Sequence, residues 1–261
     1  MDLQLKDKVI IVTGGARGIG KGIAVALAAE GAIPFIVSRT EAENLKTVTE
    51  IEQAGGKAYH TVAELSNPET CELAVAEVLK QAGRIDGLVN NAGENDGVGL
   101  QSGNYERFMQ SLHKNLVHYY LVAHHALPEL IKNQGSIVNI TSKVADTGQG
   151  GTSAYAASNG GRNAMTREWA VELLPHNIRV NAVAVAECYT PLYDRWIKTL
   201  PNPEEMLATI IARIPLGKRM TTVEEIAHAT IFLLSPLSGH TTGQIVYVDG
   251  GYTHLDRSIN N

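Results

Sequence analysis

Residues 10–32, IIVTGGARGIGKGIAVALAAEGA, join an apolar, β-rich run to an amphipathic helical pattern through a turn holding Gly14, Gly18 and Gly20. Glycine permits the tight turn and lets backbone N–H groups come close to an anion, which the following helix N-terminus favours. A glycine triplet alone is weak evidence. Here it follows a strand, opens a helix and lies near the start of the chain, the context a dinucleotide-binding turn requires. The turn reads as a pyrophosphate cradle, with Arg17 and Ile19 between its glycines.

The same alternation continues outward from this turn. Short apolar runs at 9–13, 33–37, 58–62, 87–89, 136–140, 179–184 and 244–248 read as buried strands. Between them lie helical stretches such as 18–30 and 68–81, with apolar residues at spacings of three and four. Alternating strands and helices force parallel strands joined by crossovers. The pattern predicts one domain over 1–261: a Rossmann-type, doubly wound α/β sheet of about seven parallel strands with helices on both faces. Residues 189–219 interrupt the rhythm and read as a helical insertion serving as a substrate lid, the alternative being a surface excursion that only packs.

Composition narrows the function classes. The 261 residues are 44% hydrophobic and 19% charged, with a net charge of -5. No basic footprint marks a nucleic-acid or anionic-membrane partner. No apolar run approaches the roughly 20 residues that span a bilayer. The opening MDLQLKDK is charged and unlike a signal peptide. Cys71 and Cys188 are far apart and read as reduced packing residues. A cytoplasmic enzyme is the expectation.

The end of the second strand should select between the two nicotinamide dinucleotides. A carboxylate there would bind the ribose hydroxyls of NAD. This chain has Ser38, Arg39 and Thr40, and Arg17 adds a second base inside the glycine turn. Two guanidinium groups suit a 2′-phosphate, which favours NADP with NAD possible. Glu41 and Glu43 would offset part of that potential.

TGGARGIG at 13–20, NNAG at 90–93, Asn115 in a long helix, Ser142 thirteen residues before Tyr155, and the closing GQIVYVDGGY stand in a specific order. Along essentially its whole length the chain resembles the short-chain dehydrogenase/reductase family. GENDGVGL, NLVHYY, TREWAVEL and TPLYDRWI are similar to sugar dehydrogenases of the L-fucose dehydrogenase type. The resemblance implies that Tyr155 exchanges a proton with the substrate oxygen, that Ser142 hydrogen-bonds the same oxygen, and that Asn115 organises a helix break and a relay water. It implies that Asn91, Ala92 and Gly93 line the cofactor, that Glu64 and Leu65 flank the adenine, and that the backbone at Val185 meets the nicotinamide amide. It also implies a homotetramer built on the helices carrying Asn115 and Tyr155. His113, His118, His124 and His125 then read as packing or interface residues.

One departure bears on the chemistry. A tyrosine ordinarily titrates near 10, too high for an efficient base near neutrality. Family members answer with a lysine four residues on; here that residue is Asn159. Positions i and i+4 share a helix face, so Asn159 is expected to hydrogen-bond a ribose hydroxyl but brings no charge. Two cations are candidates for the lysine's task. Lys143 follows Ser142, and Arg162 stands two turns beyond Tyr155, where it otherwise reads as a surface or interface cation.

Asn95, Lys143, Gln149, Glu187, Tyr189 and His254 are the polar residues expected around the nicotinamide. Converging amides and charges suit a polyhydroxylated substrate, since each buried donor or acceptor needs a partner. A steroid or acyl pocket would be apolar. Oxidation of a sugar such as L-fucose to its lactone is the first reading. Reduction of another polar carbonyl compound and a catalytically weakened dinucleotide-binding protein are the alternatives.

Overall fold

The computed structural model describes residues 2–255. Seven parallel strands form one sheet in the order β3-β2-β1-β4-β5-β6-β7. They are β1 (Val9–Thr13), β2 (Ile33–Ser38), β3 (Tyr59–Val62), β4 (Gly87–Asn90), β5 (Ser136–Ser142), β6 (Arg179–Val185) and β7 (Ile245–Val248). The helices are α1 (Gly18–Ala29), α2 (Glu41–Gln53), α3 (Pro68–Ala82), α4 (Tyr105–Leu112), α5 (His118–Asn133), α6 (Ser153–Glu172), α7 (Pro191–Ile197), α8 (Pro203–Ala212) and α9 (Val223–Leu234). No helix among the described residues is long and apolar enough to cross a membrane.

The strands are apolar on both faces because both faces are covered. Val9 and Ile11 of β1 join Phe35, Leu88 and Tyr119 in one core cluster. Ile10 and Val12 point the other way and join Ile23, Leu27, Val89 and Ile226. Each fully buried aliphatic side chain contributes about 1.5–3 kcal/mol. Cys71 and Cys188 are both buried and unpaired. Burial pushes the Cys71 thiol up to about 11 and the Cys188 thiol up to about 12.

Four strands, β2, β4, β5 and β6, run one or two residues beyond the sequence reading, and in the last two the difference matters. β5 runs to Ser142 and β6 to Val185, and these two residues are register partners at the sheet's C-terminal edge. The chain order reverses between β1 and β4, which opens a crevice at that edge. α7 and α8 come from the 189–219 segment; each begins with proline at its first turn, where the missing N–H costs nothing.

A buried polar seam fixes α6 against the sheet. Asn90 Nδ2 donates to Asn139 Oδ1 at 3.1 Å, and Asn139 Nδ2 donates to Thr166 Oγ1 at 3.0 Å. Tyr119 Oη donates to the Ile140 carbonyl at 3.0 Å. Between α4 and α5 a π-helical turn, His113–Val117, carries Asn115. Such turns widen a helix locally and can free backbone groups for other partners.

Candidate active site

A cavity of about 1070 Å³ opens at the C-terminal ends of β1, β4, β5 and β6. Gly14, Arg17, Gly18, Ile19 and Gly20 line one end, and Ser142, Lys143, Tyr155 and Glu187 line the other. Ser38, Arg39, Glu64, Leu65, Asn91, Ala92, Gly93 and Val185 lie along it.

The residues present fit a dinucleotide. Gly14 and Gly18 have φ of 65° and 54°, and a Cβ on Gly20 would sit 2.3 Å from the Gly14 carbonyl oxygen. Arg17, at the α1 N-cap, makes no side-chain capping bond, so the first-turn N–H groups face the cavity without an internal acceptor. Thr13 ties down the opposite wall: its hydroxyl accepts from the N–H of Asn91 at 2.8 Å and of Ala92 at 3.1 Å. Asn91 Nδ2 donates to the Thr13 carbonyl at 2.9 Å.

The adenosine end differs from expectation. Glu41 and Glu43 stand in the first turn of α2, and neither is an ion-pair partner of Arg39. The carboxylates near the Arg39 guanidinium are Glu64 at 3.9 Å and Glu94 at 3.8 Å. Glu64 also accepts from the Ser66 N–H and hydroxyl, and Ser38 donates to Asn44 Oδ1 at 2.5 Å. Arg17 and Arg39 are exposed at the rim.

At the reacting end the structure revises the reading of α6. Asn159 is fully buried and does not line the cavity. Its Nδ2 donates to the Tyr155 carbonyl at 2.8 Å, and its Oδ1 accepts from Arg162 at 3.0 Å. Both ends of the amide are used internally, so Asn159 is not a ribose ligand in this arrangement. Arg162 is not a surface cation either: it is 3% exposed and lines the cavity. Its Nε donates to the Asn115 carbonyl at 2.5 Å, Nη1 to the Ile140 carbonyl at 3.2 Å, and Nη2 to Asn115 Oδ1 at 3.4 Å. The guanidinium lies 4.2 Å from the Tyr119 ring centre and 6.0 Å from that of Tyr155. A short asparagine at 159 leaves the volume, and aligned oxygens draw the fork inward.

Asn115 is likewise fully buried and off the cavity wall. Its Oδ1 accepts the Glu94 N–H at 2.8 Å, holding the loop after β4. Its carbonyl accepts from Arg162 Nε. Gly93 makes this approach possible: a Cβ there would lie 2.7 Å from Asn115 Oδ1 and 2.9 Å from Arg162 Nη2.

Lys143 pairs with Glu187, and both are largely buried. Tyr193 donates to the other Glu187 oxygen at 2.9 Å, and the Lys143 ammonium lies 4.0 Å from the Tyr252 ring centre. Burial, followed by the Glu187 charge, pushes the Tyr193 hydroxyl well above its usual range. Asn95 and Gln149 line the exposed rim. Tyr189 does not line the cavity; it is 47% exposed and donates to Asp194 at 2.8 Å. His254 packs edge-on against Tyr247, also off the wall. Sequence reasoning missed Tyr193, Tyr252 and the apolar roof of Leu192, Trp196, Leu200, Met206 and Ile210. The signal for Tyr193 and the roof was helical patterning within 189–219, and Tyr252 closes the GQIVYVDGGY stretch.

Residues 14–253 match the family model described as Enoyl-(Acyl carrier protein) reductase. The chain is 38% identical to the 3-oxoacyl-(acyl-carrier-protein) reductase FabG of Thermotoga maritima, over 95% of this chain and 99% of that one. It is 32% identical to the L-fucose dehydrogenase of Bos taurus, over 96% of this chain and 91% of that one. Among solved structures, the Cj0485 dehydrogenase superposes with a TM-score of 0.94 at 46% identity, covering both chains fully. The chain belongs to the short-chain dehydrogenase/reductase family of NAD(P)-dependent oxidoreductases.

Proposed function

We propose that the chain oxidises a small polyhydroxylated substrate, an aldose of the L-fucose kind, at its anomeric hydroxyl, giving a lactone, with NADP favoured over NAD. The observation that carries this reading is the Lys143–Glu187–Tyr193 cluster in the cavity beside Ser142. An ammonium, a carboxylate and a phenol held together offer paired donors and acceptors to neighbouring hydroxyls, and leave polar groups unpaired against a substrate lacking them. The likeness to bovine L-fucose dehydrogenase supports the same choice.

Bound nicotinamide supplies the hydride acceptor or donor. Tyr155 takes the proton from the substrate hydroxyl and Ser142 orients that oxygen. The 189–219 segment acts as the lid, with Leu192 and Trp196 of α7 and Met206 and Ile210 of α8 excluding water above the site. The exposed Tyr120 and Val171, on α5 and α6, suit a subunit contact in a homotetramer.

That apolar roof favours a second reading, reduction of a carbonyl compound with an apolar portion. The test follows NAD(P)H absorbance with L-fucose and related aldoses, using NAD and NADP separately, beside a 3-oxoacyl thioester in the reducing direction. Turnover of aldoses alone supports the sugar reading; turnover of the thioester alone replaces it.

A further inference from the structure

Asn159 removes a cation from the tyrosine's helix, and the fold puts another in the same neighbourhood. We infer that Arg162 is the electrostatic positioning residue for Tyr155, favouring its phenolate in place of the missing lysine. The inference rests on the hydride-transfer chemistry of the family and not on which substrate is used.

The first argument is compensation of charge. The four hydrogen bonds from the Arg162 guanidinium all go to neutral oxygens: the Asn115 and Ile140 carbonyls and the side chains of Asn115 and Asn159. No carboxylate among the described residues pairs with it. A buried cation without a counter-ion favours any anion that can form beside it. Tyr155, whose ring centre lies 6.0 Å away on the cavity wall, can become that anion. Lys143 cannot do this as well, because Glu187 already neutralises it.

The second argument is geometry. Arginine has five N–H groups, and four are used here, leaving one on Nη2 beside Gly93 on the cavity wall. Asn159 accepts from Nη1 and Asn115 from Nε and Nη2, so all three nitrogens of the fork are held and the charge cannot swing away. Asn159 thus acts as the arginine's support, a use for the residue that a lost lysine alone does not explain.

The substitution also changes the proton path. A lysine can pass a proton; an arginine stays charged at all working pH values. In the oxidising direction the substrate O–H bond breaks, a new O–H bond forms on Tyr155, and that proton returns to solvent before the next turnover. Arg162 stabilises the charge without carrying the proton.

The experiment compares Arg162→Met, Arg162→Lys, Asn159→Lys and the double variant Arg162→Met/Asn159→Lys. The readouts are ultraviolet phenolate titration of the cofactor-free protein, with Tyr155→Phe as the blank, and the pH profile of kcat/KM. Arg162→Met should move the Tyr155 phenolate signal and the activity profile alkaline by about one pH unit or more, with kcat/KM near neutrality falling roughly tenfold. Arg162→Lys should keep part of both, and the double variant should recover both. Asn159→Lys alone should gain nothing, since two cations would share one site. A folded Arg162→Met with unmoved titration and profile overturns the inference, as does a gain from Asn159→Lys alone. Should Arg162→Met not fold, failure of the folded double variant to carry the parent's phenolate signal overturns it equally. The titration needs no substrate, so it stands even where no aldose turns over.

Discussion

Arg162 reaches back one turn along α6 and donates through Nη1 to Asn159 Oδ1 at 3.0 Å. The asparagine's other end donates to the Tyr155 carbonyl at 2.8 Å. Three residues, each a turn apart, therefore form one connected unit along α6. Restoring a lysine at 159 would not repair a defect. It would remove the arginine's acceptor and bury a second cation beside the first. Asn159→Lys should lower stability by roughly 3 kcal/mol, the scale of an uncompensated buried charge, read from the denaturant midpoint at unchanged slope. An unchanged midpoint would mean that the new ammonium escapes to the cavity.

Much of this site was legible before any coordinates. The glycine turn, the strand alternation and the Ser142–Tyr155 spacing are local patterns, and each led to the right element. The position of Arg162 was not legible, because its hydrogen-bond acceptors come from the π-helical turn and from β5 as well as from α6. A sequence reading places a residue on a helix face but not the carbonyls that face it across a packing layer. Tyr189 failed for a related reason. It precedes α7, whose first turn presents Tyr193 to the cavity and leaves Tyr189 over Asp194.

The proposed preference for NADP rests on Arg39, which acts against opposition. Glu64 and Glu94 stand 3.9 Å and 3.8 Å from its guanidinium, at the exposed rim where such pairs are weak. A 2′-phosphate can displace them, being a stronger partner for a guanidinium than either distant carboxylate. Arg39→Ala should weaken NADP about tenfold, the worth of about one charge-assisted bond, and leave NAD within about twofold. Isothermal titration with each cofactor checks this; equal losses for both would remove Arg39 from phosphate recognition.

Glu187 joins three side chains in the pocket. Glu187→Gln would keep the shape but strip the Lys143 ammonium of its counter-charge and weaken the bond from Tyr193. In the proposed reading the cluster meets the substrate hydroxyls while Tyr155 takes the proton, so the loss should fall on binding. KM for the best aldose should rise about tenfold, with kcat changed less than about threefold. A collapse of kcat at constant KM would put Glu187 in the chemical step.

His118 should make the protein acid-sensitive in a defined window. Its ring is buried, Nε2 donates to the Lys114 carbonyl at 2.9 Å, and it lies tilted at 58° with its centre 4.8 Å from that of Tyr119, which also neighbours Arg162. Burial, followed by the Arg162 charge, pushes the imidazole down to about 3 from an ordinary 6.5. The unfolded chain therefore binds a proton below about 6.5 that the folded chain refuses until about 3. Protons favour the state that binds them, so stability contributed by the neutral ring is complete above 6.5 and drains away as pH falls toward 3. The slope from this residue approaches about 1.4 kcal/mol per pH unit in the middle of the window. His118→Gln removes the titrating group while keeping a donor for the Lys114 carbonyl. Urea midpoints taken from pH 7 to pH 4 should fall less steeply in His118→Gln than in the parent. Parallel lines would show that His118 takes up its proton in the folded state, and that the Arg162 charge is screened from it.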